Sequence, residues 1–183
     1  MPKPDAAFRT SGEGGFRFAI RPARPADAKA LWLVHGRAVR ALAGTYYTPD
    51  EREAWASRMR PEGYLEPMST RHLLVAETTA EEGSRIIGYG QLHVAEGTID
   101  AIYVDPGWVR RGVGAALVDA LEREIRARGL PGLVVEASLN SVPFYQALGY
   151  VAKGLDQHPL APGVGIAFVV MEKRLTPAAP PRE

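Results

Sequence analysis

The sequence predicts a mixed α/β domain layered around one sheet. Three observations support this. Short alternating or apolar runs bounded by Gly, Pro and acidic turn residues recur along the chain and read as strands. Between them lie stretches whose apolar residues repeat at helical spacing and carry start and stop signals. The chain has 183 residues, a length that fits one domain with one sizeable core. The expected order is β-α-α-β-β-β-α-β-α-β-β.

Phe16, Phe18 and Ile20 alternate with polar or small residues and predict a first strand. Pro25 suits a first helical position, and Asp27 follows where the helix dipole favours an acid. Leu31, Val34, Ala38 and Leu42 then share one face until Gly44. Thr48-Pro49-Asp50-Glu51 has the form of a capping box with proline at N1, so a second helix runs past Trp55. Strands are expected over 72–77, 86–94 and 98–104, separated by Glu81-Glu82-Gly83 and Ala95-Glu96-Gly97. A long helix starts near Gly112, turns Val113, Leu117, Leu121 and Ile125 inward and ends at Gly129, with Glu122 and Arg126 placed to pair. A short buried strand over 133–136, a short helix over 143–148 and strands over 151–155 and 166–173 complete the domain, which spans 16–175. Residues 1–15 and 176–183 lack periodicity and are read as an unstructured arm and tail.

Composition narrows the function. Hydrophobic residues make up 46% and charged residues 23%, an ordinary balance for a soluble globular chain. No apolar run approaches the roughly 18 residues that cross a bilayer, and the first residues lack the apolar core of a secretory signal, so a cytoplasmic protein with no membrane contact is expected. Cysteine is absent, which removes disulfides, thiolate catalysis and cysteine-built zinc sites; no metal is expected. A net charge of +1 argues against a dedicated nucleic-acid binder. The abundance of Ala, Arg, Gly and Pro points to a GC-rich bacterial source.

The sharpest local feature is Arg110-Arg111-Gly112-Val113-Gly114-Ala115-Ala116, directly after a strand and at the mouth of a helix. Small residues let main-chain amides approach a ligand. The first-turn N–H groups and the dipole favour an anion there, and two arginines add charge-assisted donors. The pattern is neither a Rossmann fingerprint, which needs Gly or Ala where Leu117 stands, nor a P-loop, which needs Gly-Lys-Ser/Thr. On residues alone it is a phosphate cradle or a glycine-eased turn beside two solvated arginines.

Here the sequence resembles the GNAT superfamily of N-acetyltransferases. Arg111-Gly112-Val113-Gly114-Ala115-Ala116 matches the family's coenzyme motif, Gln/Arg-x-x-Gly-x-Gly/Ala, and lies after a strand ending Ile102-Tyr103-Val104-Asp105-Pro106. The run from Ala137 through Asn140 to Phe144-Tyr145 and Leu148-Gly149-Tyr150 is similar to a second family region. Ile20-Arg21-Pro22-Ala23 and Met171-Glu172-Lys173-Arg174-Leu175 are similar to the first and last strands. The likeness covers roughly residues 16–175. It implies a mostly antiparallel sheet with helices on both faces and acetyl-CoA as cosubstrate.

By this resemblance the main chain of Ile102, Tyr103 and Val104 faces the pantetheine arm, where family sheets splay and the ligand supplies the missing strand partners. Amides from Gly112 to Ala116 hold the pyrophosphate, with Arg110 or Arg111 against its charge. Ser138 stands where many members place a pantetheine-contacting Asn. Asn140, two residues later, caps the next helix (the preferred reading) or contacts the coenzyme. Phe144 packs on sheet or coenzyme.

Acetyl transfer to an amine needs a neutral amine, a stabilised oxyanion and a proton for the leaving thiolate. By resemblance Tyr145 is the acid. Asp100, two residues before Ile102 and so on its face of a regular strand, is the first candidate base; Glu136, His93 and His158 are alternatives. Tyr46 and Tyr47, between the first two helices, are candidates for the acceptor pocket with Trp55 nearby. That pocket is expected between the first helical pair and the last strands. The amine is undetermined, a homodimer is common among such proteins, and the competing reading is a non-catalytic acyl-CoA sensor with the same fold.

Overall fold

The computed structural model describes residues 7–10, 16–80 and 83–176. Among them, strands β1 (Ala7–Thr10), β2 (Arg17–Pro22), β3 (His72–Ala80), β4 (Gly83–His93), β5 (Thr98–Val104), β6 (Gly132–Ser138), β7 (Val151–Ala161) and β8 (Val164–Arg174) form one sheet in the order β1-β2-β3-β4-β5-β6-β8-β7. Every neighbouring pair is antiparallel except β5 and β6, which are parallel. Helices α1 (Ala28–Leu42), α2 (Pro49–Ala56), α3 (Leu65–Thr70), α4 (Val113–Ala127) and α5 (Val142–Ala147) complete the chain. None is long and apolar enough to cross a membrane.

The helices cover both faces because each carries an apolar stripe matched to one side of the sheet. On one face Leu117, Leu121 and Ile125 of α4 are fully buried against Ile87, Leu92, Ile99 and Met171, with α5 in the same layer. On the other, Leu31 and Val34 of α1 pack on Val75 and Tyr89. Burial of such side chains contributes about 1.5–3 kcal/mol each. Close approach of α4 depends on two glycines in β4. A Cβ at Gly88 would lie 2.9 Å from the Tyr103 carbonyl oxygen and 3.2 Å from Val113 Cγ1, and one at Gly90 would lie 2.9 Å from Ile102 Cδ1.

The local signals act as the sequence implies. Thr48 accepts from the Glu51 amide at 3.3 Å while the Glu51 carboxylate accepts from the Thr48 amide at 2.8 Å, closing the capping box of α2. Asp27 accepts from the Arg24 amide at 2.7 Å and is held by Arg21 at 2.7 Å, fixing the 3-10 turn that leads into α1. Glu122, 4% exposed, pairs with Arg126 at 2.8 Å and Lys173 at 2.7 Å, tying α4 to β8.

Three elements differ from expectation. Ala7–Thr10, placed in an unstructured arm, pairs with β2 as an edge strand; four residues are too short to show alternation. The rest of that arm and 177–183 lie outside the described residues. Leu65–Thr70 is a helical turn that Pro61 and Pro67 obscured. β7 and β8 run on past the strands expected over 151–155 and 166–173 into one long hairpin. At the sheet edge, proline costs no ladder bond and bulges absorb the irregularity.

Gly88→Ala should lower stability by about 1–3 kcal/mol through overpacking against β5, read as a drop in urea midpoint at unchanged slope.

Candidate active site

β5 and β6 are in register only at Thr98↔Val134 and Ile99↔Val135. Beyond that point Ile102, Tyr103 and Val104 pair with Gly90, Tyr89 and Gly88 of β4 on one side alone, while β6 continues to Ser138 paired only with β8. Two strand edges therefore diverge with main-chain donors and acceptors unpaired, which is costly unless a ligand or water fills the gap. The register between β4 and β5 slips from Gln91↔Ala101 to Leu92↔Ile99, making Asp100 the extra residue of a bulge. Bulges bend and twist a strand, and β5 leaves β6 here. A cavity of about 970 Å³ opens in the split.

The expected phosphate loop closes one end. Asp105 anchors it: buried at 5%, it accepts from the Gly107 amide at 3.1 Å and pairs with Arg37 at 2.7 Å and Arg85 at 3.1 Å. Arg110 has φ 62° and Gly112 has φ 79°; the left-handed region costs a non-glycine residue about 1–2 kcal/mol, so surrounding structure holds Arg110 there. Gly112 is the N-cap of α4 and provides no side-chain capping bond, leaving first-turn amides available. Arg110, Gly112, Gly114 and Ala115 line the cavity. Val113 and Ala116 are buried in the core, so only their main chain faces the helix mouth. Arg111 departs from expectation: its guanidinium lies 5.1 Å from the Trp108 ring and 5.9 Å from Phe16, away from the cavity lining. Gly114 serves packing as well, since a Cβ there would meet Phe144 at 3.3 Å.

Tyr145, 4% exposed, lines the same cavity. Burial pushes its phenol above the usual tyrosine range, with Tyr103 adding to the effect, so it holds its proton at neutral pH. Asn140 does not cap α5, which corrects the preferred reading: the N-cap is Ser141, without a side-chain bond. Asn140 instead lines the cavity, its Oδ1 buried and without a hydrogen-bond partner among the described residues. Ser138 and Ser141 bond each other at 3.0 Å.

A second hollow of about 280 Å³ lies on the α1 side. It shares Trp55, Asp100, Ala101, Tyr103, Glu136 and Ser138 with the first, and its other walls come from His35 of α1, the segment 58–64, β4, β7 and β8. Tyr46 is half-exposed at the rim of the larger cavity. Tyr47 is buried in the wall of the second hollow, where its hydroxyl donates to the Ala167 carbonyl at 2.6 Å and accepts from the Leu139 amide at 2.8 Å.

The bulge also overturns the facing inferred for Asp100. Ile99 and Ile102 both join the core on the α4 side, so the two-residue alternation is broken between them. Asp100 turns with Gln91, which donates to it at 3.0 Å, and pairs with Arg71 at 3.3 Å. His93 pairs with Glu96 in the β4–β5 turn, outside both hollows. Glu136 and His158 meet at 2.6 Å. The sequence missed Asp105 as an anchor, although Asp-Pro-Gly after a strand is a turn signature.

His35 borders the second hollow, its Nδ1 3.1 Å from the Tyr64 hydroxyl. Burial, aided by Arg40, pulls its imidazole from 6.5 down to about 4. The unfolded chain takes up a proton below pH 6.5 while the fold does not. The stabilising effect is therefore complete above that pH and is lost as pH falls towards 4. At about 1.4 kcal/mol per pH unit the loss reaches about 3 kcal/mol; urea titrations of wild type and His35→Gln near neutrality and near pH 4 should show the variant without that part of the decline.

The fold and the split sheet define an acyltransferase of the GNAT class. The acetyltransferase (GNAT) domain family matches residues 44–175, and the chain belongs to it. The N-acetyltransferase YafP of Escherichia coli (strain K12), itself uncharacterized, is 30% identical over 131 residues, covering 72% of this chain and 79% of that protein. Among solved structures, a GCN5-related N-acetyltransferase from Rhodopseudomonas palustris superposes with a TM-score of 0.78 at 30% identity, covering 94% of this chain and all of that one. The PaiA N-acetyltransferase of Thermoplasma acidophilum, solved with coenzyme A, gives 0.70 at 19% identity over 86% and 99%.

Proposed function

We propose that this enzyme transfers the acetyl group of acetyl-CoA directly to a primary amine of a small molecule or protein. The observation that carries the reading is the split between β5 and β6, with its unpaired edges running into the open N-terminus of α4. An extended pantetheine arm would complete the edge of β5 at Ile102, Tyr103 and Val104 as an added strand does. The pyrophosphate would rest on the amides from Gly112 to Ala116, with Arg110 as its counter-charge and Arg111 held back by the aromatic pair. Asn140 Oδ1 would accept from a pantetheine amide, and Phe144 would pack beside the arm. Coenzyme A in the PaiA structure supports the choice of ligand.

The acceptor would enter from the second hollow and meet the thioester at Asp100, Tyr103, Glu136 and Ser138, which border both spaces, with Tyr46 and Trp55 at the edge. Tyr145 would protonate the departing thiolate. Its retained proton and its hydroxyl, which makes no hydrogen bond among the described residues, support that role. Use of acetyl-CoA would suit an enzyme acting in the cytoplasm.

Calorimetric titration should show acetyl-CoA binding; no heat at millimolar ligand would sink the reading. Tyr145→Phe should lower turnover by about 100-fold with coenzyme affinity held within about twofold, measured by thiol release over an amine panel. Unchanged turnover would reject Tyr145 as the acid.

A further inference from the structure

We propose that Glu136, oriented by His158, is the base that removes the proton from the acceptor ammonium. The inference rests on the acetyl-transfer reading and adds the group that reading leaves open. Glu136 is one of the few residues bordering both hollows, so its carboxylate stands where donor and acceptor must meet. It belongs to β6, whose Leu133, Val135 and Ala137 are buried in the α4-side core. Alternation turns Glu136 the other way, towards the acceptor side.

Its hydrogen bonding separates it from the other acids. Asp100 has Oδ2 taken by both the guanidinium of Arg71 and the amide of Gln91, which turns its carboxylate to those two partners. Glu136 has His158 as its partner, on Oε2 at 2.6 Å, and Oε1 makes no hydrogen bond among the described residues. The imidazole is fixed from behind by stacking on Phe168, with centroids 4.4 Å apart and planes at 24°. With its proton on Nε2, His158 donates to Oε2 and leaves Oε1 without a protein partner among the described residues. The other charged or titratable groups facing this space are His35, Arg58 and Asp100, with the tyrosine hydroxyls.

An acceptor N–H bond breaks, its electron pair stays on nitrogen, and the proton bonds to Oε1. The neutral amine attacks the thioester carbon; as the adduct collapses the C–S pair goes to sulfur, the thiolate takes a proton from Tyr145, and the second N–H proton of the adduct passes through water to restore the Tyr145 phenol. Glu136, 46% exposed, returns its proton to water. The sum is one ammonium and one thioester giving one amide, one thiol and one released proton. Glu136 is thus a catalytic residue and His158 a positioning residue.

The test measures kcat/KM by thiol release for wild type, Glu136→Gln, His158→Ala and His158→Gln. The amine panel is graded from alkylamines, charged at neutral pH, to anilines and trifluoroethylamine, neutral at that pH. Glu136→Gln should lose about 100-fold with charged amines and less than about threefold with neutral ones. His158→Ala should lose about tenfold with charged amines, and His158→Gln, which keeps an N–H donor, should recover most of it. Coenzyme titration within about twofold of wild type shows that each variant folds. A deficit equal across the panel, or none, overturns the base assignment while transfer by the wild type upholds the wider reading. No transfer by the wild type to any amine overturns both.

Discussion

The structure turns on a failure of pairing. Two neighbouring parallel strands share two register pairs and then part, although both continue. A sheet tolerates this only where something compensates the stranded main-chain groups, and three local features set the gap. The bulge at Asp100 bends β5. Gly88 and Gly90 let α4 press on β4 and β5 from one face. On the other side β6 stays committed to β8 along its whole length. The gap is therefore held open from both flanks by the core.

The same packing decides the chemistry available around the gap. At one end the left-handed turns at Arg110 and Gly112 hand the chain into α4 without a capping side chain, so partial positive charge and an arginine converge on one spot. That loop is steadied by buried Asp105 and its pairs with the more exposed Arg37 and Arg85. At the other end stand a phenol that burial keeps protonated and, across the strands, carboxylates on the acceptor side.

Much of the fold was legible because its signals are local. The capping box at Thr48, the long helix from Gly112 to Gly129 and the strand over 98–104 follow from spacing and turn chemistry alone. The turn from β5 into α4 was legible too, because small residues at 112–116 mark a tight entry into a helix. What could not be read depends on contacts between distant segments. The bulge at Asp100 arises from register against β4, so an alternation rule placed its side chain on the wrong face. The burial of Tyr47 depends on Leu139 and Ala167, some ninety and more positions away. The diversion of Arg111 needs Phe16 brought across the sheet, and the encounter of Glu136 with His158 needs β7 to run on past the strand expected over 151–155.

The central claim is that the unpaired edge of β5 and the first turn of α4 are completed by acetyl-CoA. Amide hydrogen exchange of the free and coenzyme-saturated protein addresses it residue by residue. The account expects slowed exchange concentrated at 102–104 and 112–116, with β2 and β3 unchanged. Slowed exchange elsewhere, with those two segments as labile as in the free protein, would contradict it.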